Sequence, residues 1–87
     1  MKAKLSPFVQ KELVKIAKKD KKLLEKIEKQ IVLFEENPKH PSLRVHGELD
    51  DLWSIAITMS IRMVYIIIDE NHVLFVKLGT HDQVYRK

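Results

Sequence analysis

The segment from Gly79 to Arg86 holds the densest group of reactive side chains in the sequence. An imidazole, a carboxylate, a phenol and a guanidinium fall within six residues, at His81, Asp82, Tyr85 and Arg86. The imidazole of His81 can donate or accept a proton near neutral pH, because its reference pKa is about 6.5. Gly79 permits backbone angles that other residues resist, so we expect the chain to leave its preceding strand there. The segment therefore offers acid–base chemistry at the end of a strand.

An unreactive role for the same segment stays open. Chain ends are usually solvated and mobile, and polar residues gather there for that reason alone. A single exposed histidine needs no catalytic function. The residue types identify His81 as a proton-transfer candidate, and a pocket around it is not visible from sequence.

Arg62 is the second candidate, since it lies inside the apolar run 61–68. Period-two alternation along a strand places it on the same face as Val64. Burying an unpaired guanidinium is costly, so Arg62 must pair with a carboxylate or lie where an anion can reach it. An ion pair with Asp82 or Glu48 and an anion site are equal alternatives at this point.

Two amphipathic helices are predicted ahead of these candidates. Ser6 and Pro7 form a helix start, as N-cap and first helical residue. A second helix begins near Asp20, and Asn37–Pro38 ends it because proline disfavours helix in the preceding residue. The apolar stripes are Phe8, Val9, Leu13, Ile16 and Ala17 in the first helix and Leu23, Leu24, Ile27, Ile31 and Phe34 in the second. The two helices therefore form a hairpin with an apolar face.

Strands are predicted on either side of this hairpin. They cover Lys2–Ser6, Leu43–His46, Trp53–Met59, Ile61–Ile68 and His72–Leu78. The fourth is almost continuously apolar and β-branched, which indicates a central strand buried on both faces. The predicted fold class is α+β, with the N-terminal two-helix hairpin packed on an antiparallel sheet, and residues 1–87 are expected to form a single domain.

The positive charge is concentrated in the helical half. Residues 1–40 carry eleven lysines against six carboxylates, a net charge of +5, while residues 41–87 carry −1. Four lysines surround Asp20, at Lys18, Lys19, Lys21 and Lys22. A basic half favours a polyanion or an acidic protein as partner, and a solvated helical surface is the alternative.

Several classes of protein are disfavoured by composition. The absence of cysteine removes disulfides and thiolate metal sites and fits a reducing cytoplasm, which is the expected location. The histidines and acids show no metal-ligand spacing, so no metal or cofactor is expected. The longest apolar run, Met63–Ile68, is too short to span a bilayer, so no membrane association is expected.

The sequence resembles the RelE/ParE superfamily of bacterial and archaeal toxins over nearly its whole length. The resemblance rests on the lysine-rich hairpin, "NPKHPSLRVH", "IRMVYIIID" and the terminal "LGTHDQVYRK". It is nearest to the RelE/StbE- and YafQ-like branch, where the ending G-T/S-H-x-x-x-aromatic recurs. It implies a helical hairpin on a curved antiparallel sheet and a type II toxin held inactive by a cognate antitoxin. It further implies mRNA cleavage in the 30S A site of the ribosome, with operator DNA bound only through the antitoxin.

The resemblance also implies roles for individual residues. Arg62 matches the strand arginine that contacts the scissile phosphate. His81 matches the C-terminal histidine proposed for acid–base catalysis, and Tyr85 matches the terminal aromatic residue near the reacting nucleotide. His40 and His46 match loosely the additional histidines or basic residues of related toxins. The segment 45–48 is shorter than in many relatives, which often carry a lysine there.

The chemistry follows from RNA itself, which carries the nucleophilic 2′-hydroxyl. Cleavage needs a base for that proton, a cation for the charged phosphorane-like state and an acid for the leaving 5′-oxygen. His81 can serve as base or acid, Arg62 as the cation and Tyr85 as a stacking surface or proton donor. The residues expected to contact RNA are His40, Arg44, His46, Arg86, Lys18, Lys19 and Lys22.

Two other functions stay open. One is a ParE-like toxin that inhibits gyrase, which needs no proton-transfer group. The other is a catalytically inactive homologue that only binds antitoxin, which the short segment 45–48 makes credible.

Overall fold

The structure of the protein is a computed structural model that describes residues 1–37, 43–44 and 52–85. For Leu43, Arg44, His81 and Tyr85 the description covers the backbone alone. The elements in chain order are β1 (Lys2–Leu5), α1 (Pro7–Lys19), α2 (Lys21–Glu36), β2 (Leu43–Arg44), β3 (Leu52–Ala56), β4 (Ile61–Asp69), β5 (His72–Thr80) and α3 (His81–Tyr85).

Both long helices begin at the caps that the sequence predicts. The Oγ of Ser6 accepts the N–H of Val9 at 3.2 Å, which satisfies a free donor of the first turn of α1. Asp20 alone separates α1 from α2. Its own N–H donates to the carbonyl of Ile16, and its carboxylate accepts the N–H of Leu23 at 3.0 Å. One residue therefore ends the first helix and starts the second.

The strands form one five-stranded sheet in the order β1-β5-β4-β3-β2, which places β4 at the centre. The pairs β2–β3, β3–β4 and β4–β5 are antiparallel. The predicted α+β class, with a helical hairpin packed on a sheet, is confirmed. β1 pairs with β5 in parallel, so the sheet is mixed where the sequence predicts an antiparallel one. The direction of β1 depends on a partner some 70 positions away, and nothing in its own residues encodes it.

The core lies between the helical hairpin and one face of the sheet. Its centre is a cluster of three rings, Phe34 from α2, Tyr65 from β4 and Phe75 from β5. Their centroids are 5.0, 5.7 and 5.4 Å apart in tilted or edge-to-face arrangements. Such pairs contribute about 0.5–1.5 kcal/mol each beyond the burial of their area. The cluster joins α2 to β4 and β5, the strands that also lead to the candidate site.

β3 is shorter than predicted, because a turn replaces its last residues. The Oγ1 of Thr58 accepts the N–H groups of Ser60 at 3.2 Å and Ile61 at 3.0 Å. A hydroxyl that bonds nearby amides stabilises a turn against a strand. The predicted strand was therefore too long at its end, and Met59 lies in this turn with its side chain fully exposed.

β4 is buried on both faces only in its middle. Met63, Val64 and Tyr65 are buried, whereas Ile67 is 51% and Ile68 49% exposed. Among the described residues, β3 pairs with β4 only as far as Ile66, so β5 is the one described strand beside the far end of β4. The predicted burial on both faces is confirmed for residues 63–65, which directly follow Arg62.

The β4–β5 turn contains an ionic contact that predicts a pH effect on stability. The carboxylate of Asp69 accepts the N–H of Asn71 at 2.8 Å and contacts Nδ1 of His72 at 2.8 Å. These hydrogen bonds hold the pKa of Asp69 below its usual range, with the Asn71 amide as the largest cause. A depressed folded-state pKa adds stability above the unfolded-state value, which is about 3.9, and that stability is lost as the pH falls through the folded-state value.

We therefore expect Asp69→Asn to be less stable than the parent at pH 6 and equal to it near pH 2. Urea unfolding at the two pH values measures the difference, and Glu70→Gln, on the same turn, serves as the control. An Asp69→Asn deficit of the same size at both pH values would contradict the assignment.

Candidate functional site

Arg62 lies near the start of β4 on the face of the sheet away from the helices. Met63 and Tyr65 pack into the core, so the alternation of the strand turns Arg62 and Val64 to the other face. Both Nε and Nη2 of Arg62 are 3.4 Å from the Oγ of Ser54 on β3. The guanidinium is half-buried and is held at the edge of this face by a neutral partner.

The sequence left open whether Arg62 forms a structural ion pair. Among the residues whose side chains are described, the ion pairs are Lys15–Glu12 and His72–Asp69, and neither includes Arg62. Neither of these pairs includes Asp82, and Glu48 lies outside the described residues. The arrangement favours the second alternative, a cation that an external anion can reach.

The terminal segment forms a short helix, α3, that the sequence analysis did not predict. The N–H of Thr80 donates to Oε1 of Gln83 at 2.8 Å, and the N–H of Gln83 donates to Oγ1 of Thr80 at 3.3 Å. This reciprocal pair is a capping box, and the spacing Thr-x-x-Gln was visible in the sequence. Val84, 3% exposed, anchors the helix. α3 packs on β5 and β4.

Gly79 serves a different purpose from the one predicted. β5 continues through Gly79 to Thr80, so the chain does not leave the strand at the glycine. A Cβ at this position would lie 2.5 Å from Oε1 and 3.2 Å from Cβ of Gln83. The missing side chain therefore makes room for the glutamine that closes the capping box.

The capping box predicts a measurable local stability. Gln83→Ala removes the acceptor for the Thr80 N–H, a loss of about 1 kcal/mol, so exchange of that amide should be roughly fivefold faster. Gln83→Glu is the matched control because Glu retains an acceptor at the same place. Hydrogen exchange followed by NMR measures both variants. Equal exchange rates in the Ala and Glu variants would show that the side chain does not cap the helix.

The pairing of β4 with β5 brings Arg62 and His81 to the same end of the sheet. Arg62 is the register partner of Gly79, and His81 follows two residues later as the first residue of α3. Paired Cα atoms lie about 5 Å apart and two residues span at most about 7 Å, so the two Cα atoms are within roughly 13 Å. Tyr85 is four residues after His81 in α3 and therefore lies on the same side of that helix.

A further cation, Lys77, shares the face of Arg62 and was missed by the sequence analysis. The register between β4 and β5 shifts between Val64 and Tyr65, so Val64 pairs with Lys77 while Tyr65 pairs with Phe75. Directly paired residues point to the same side of a sheet, so Lys77 accompanies Val64. Simple alternation from Phe75 would have placed Lys77 in the core, and only the bulge corrects this.

Comparison with known proteins identifies the family of this chain. The sequence model of the ParE toxin of the type II toxin–antitoxin system parDE matches residues 3–85. A candidate toxin named RelE4 from Methanocaldococcus jannaschii is 35% identical over 85 residues, which cover 95% of this chain and 88% of that protein. The chain belongs to the ParE toxin family of type II toxin–antitoxin systems.

Solved structures show that this toxin shares its fold with other toxins. YoeB from Staphylococcus aureus, solved as a dimer, superimposes with a TM-score of 0.76 at 21% identity, over 93% of this chain and 97% of that one. YafQ from Escherichia coli gives a TM-score of 0.73 at 16% identity, over 95% and 96% of the two chains. YoeB of S. aureus is also known in a heterotetrameric toxin–antitoxin complex with YefM.

The lysines around Asp20 belong to the helical layer, whereas Arg62 lies on the face of the sheet away from the helices. Lys18 and Lys19 end α1, and Lys22 falls in the first turn of α2; all three are exposed. Cations are favourable at the end of a helix and unfavourable at its beginning. Lys22 and its neighbour Lys21 therefore do not serve the stability of α2, which favours a role for this lysine cluster in binding.

Of the other residues expected to contact RNA, the structure describes only Arg44. Arg44 lies in β2 and pairs with Trp53, with only its backbone described. His40, His46 and Arg86 lie outside the described residues.

Beside α3 the toxin has an open groove of about 490 Å³. Phe8, Val76, Leu78 and Val84 supply its apolar lining, and Phe8 is 53% exposed. Within the described parts of the chain, no cluster of three potential metal ligands occurs, and no helix is long and apolar enough to cross a membrane.

Proposed function

We propose that this toxin cleaves mRNA in the A site of the ribosome, through acid–base catalysis at the RNA 2′-hydroxyl. The observation that carries the proposal is the β4–β5 register, which brings Arg62 to the strand end where the helix of His81 begins. Arg62 has a neutral partner, so its charge is available to an anion. The resemblance of the terminal motif to ribonuclease branches of the superfamily supports the same reaction.

The proposed chemistry uses the residues of this end of the sheet. One group removes the proton of the 2′-hydroxyl, whose oxygen then forms a bond to phosphorus. The bond from phosphorus to the 5′-oxygen breaks, and that oxygen receives a proton, which leaves a 2′,3′-cyclic phosphate and a 5′-hydroxyl. His81 acts as base or acid, and Arg62 stabilises the added negative charge. Tyr85, on the same side of α3 as His81, stacks on a base or donates the second proton.

Replacement of the histidine tests the proposal directly. We expect His81→Ala to lower mRNA cleavage on translating ribosomes by about 10²–10⁴-fold, the usual contribution of general acid–base catalysis. His72→Ala is the matched control, because it removes a histidine from the end of β5 that lies away from α3. Cleavage is measured by mapping the 5′ ends of mRNA after induction. Full cleavage by the His81 variant, or loss in both variants, would refute the assignment.

The lysine cluster is proposed to bind ribosomal RNA backbone. Lys18, Lys19 and Lys22 are exposed and lie together around Asp20. Each phosphate contact contributes roughly 0.7–0.9 to the slope of log affinity against log salt.

We expect simultaneous replacement of Lys18, Lys19 and Lys22 by Ala to weaken ribosome binding and to reduce that slope by about 2–3. The control triple variant of Lys11, Lys26 and Lys29 removes the same charge elsewhere on the helices, all from exposed positions. Ribosome binding is titrated between low and high salt. Equal slopes in the two triple variants would mean that only net charge matters.

A cognate antitoxin is the proposed partner, as YefM is for YoeB of S. aureus. The helical hairpin is basic, and the groove beside α3 exposes apolar Phe8, so an acidic amphipathic segment fits this toxin. Operator DNA would be bound only through that antitoxin. Co-purification with the product of an adjacent small gene tests the partner.

The match to the ParE toxin model favours a second candidate, a toxin that inhibits gyrase. Such a toxin acts by binding and requires no proton transfer at His81. DNA damage on induction, with intact mRNA and unchanged toxicity of His81→Ala, would favour this candidate over the ribonuclease.

A further inference from the structure

Ser54 on β3 is the polar residue that is completely buried among the described residues, with 0% exposure. Its hydroxyl is within 3.4 Å of two nitrogen atoms of Arg62, Nε and Nη2. A buried hydroxyl costs free energy unless it is hydrogen-bonded, and alanine would fill nearly the same volume at this site. Arg62 is one partner that satisfies this buried hydroxyl.

The register explains how the two residues meet. Ser54 pairs with Val64 and Ala56 pairs with Arg62, so Ser54 is the diagonal neighbour of Arg62 on the same face. Both residues lie in the paired part of β3 and β4. The acceptor is consequently fixed by the sheet, whereas the arginine side chain has several torsions that it would otherwise explore.

The atoms involved determine which edge of the guanidinium remains accessible. Arginine carries five N–H donors, one on Nε and two on each Nη. Ser54 lies against the Nε–Nη2 edge, so the edge formed by Nη1 and the outer hydrogen of Nη2 points away from it. Two parallel N–H groups on one edge match two oxygen atoms of a phosphate.

We infer that Ser54 is a positioning residue, which holds Arg62 so that its Nη1–Nη2 edge is presented to the phosphodiester. The role of the phosphodiester rests on the proposed function, whereas the restraint of Arg62 by Ser54 does not. Ser54 itself touches no reacting atom and acts through the arginine.

A double-mutant cycle separates this role from simple packing. Ser54→Ala should lower the kcat of mRNA cleavage about tenfold, the loss typical of a hydrogen bond to a charged group, with KM changed less than twofold. In the Arg62→Ala background the same substitution should change cleavage less than twofold, because nothing remains to be positioned. An equal loss in both backgrounds would show a structural effect and overturn the inference.

A second measurement needs no catalytic activity. In the parent, ¹⁵N relaxation should show a restrained Nε of Arg62, and Ser54→Ala should lower its order parameter while the backbone amides of β3 and β4 stay unchanged. An unchanged Nε order parameter overturns the inference. If the parent does not cleave mRNA, the proposed function fails, and the relaxation data still decide whether Ser54 restrains Arg62.

Discussion

The packing of β4 against the helices is the constraint on which the rest of the structure depends. Tyr65 fits between Phe34 and Phe75, and this contact determines which residues of β4 face the core. A strand that slipped by one residue would exchange its two faces. Arg62 would then face the apolar layer without an ion-pair partner. The aromatic cluster thus supplies stability and, through the alternation of one strand, also directs the cation to the opposite face.

The candidate site is completed by two local irregularities that regular strands would not produce. The bulge in β5 shifts Lys77 to the face of Arg62, which adds positive charge there. The capping box of Thr80 and Gln83 ends the strand and starts a helix at His81. Both features lie within a few residues of Gly79, the register partner of Arg62. The candidate site therefore depends on the bulge in β5 and on the capping box that ends this strand.

Local chemistry determined which parts of the fold the sequence could predict. The helix starts at Ser6 and near Asp20 depend on side chains that bond to nearby backbone, and the end of α2 at Asn37 was predicted from the proline that follows it. These local features were therefore predicted correctly. The Thr80–Gln83 box is equally local, and it was overlooked because the segment was interpreted only through its reactive side chains, to which Thr80 and Gln83 do not belong.

Other features depend on residues distant in sequence. The parallel pairing of β1 requires knowledge of β5 as its partner, and the position of Lys77 requires knowledge of the register between β5 and β4. No propensity of the segments contains either. Arg62 was recognised because a charge in an apolar strand is costly, but the sequence contains no signal for its partner Ser54.

The most direct measurement is a cryo-EM structure of the toxin on a ribosome whose A-site codon carries a 2′-deoxy nucleotide. The account predicts one phosphate in contact with both the Arg62 guanidinium and the His81 ring, and a phosphate bound on another surface, or no ribosome-bound toxin, would contradict it.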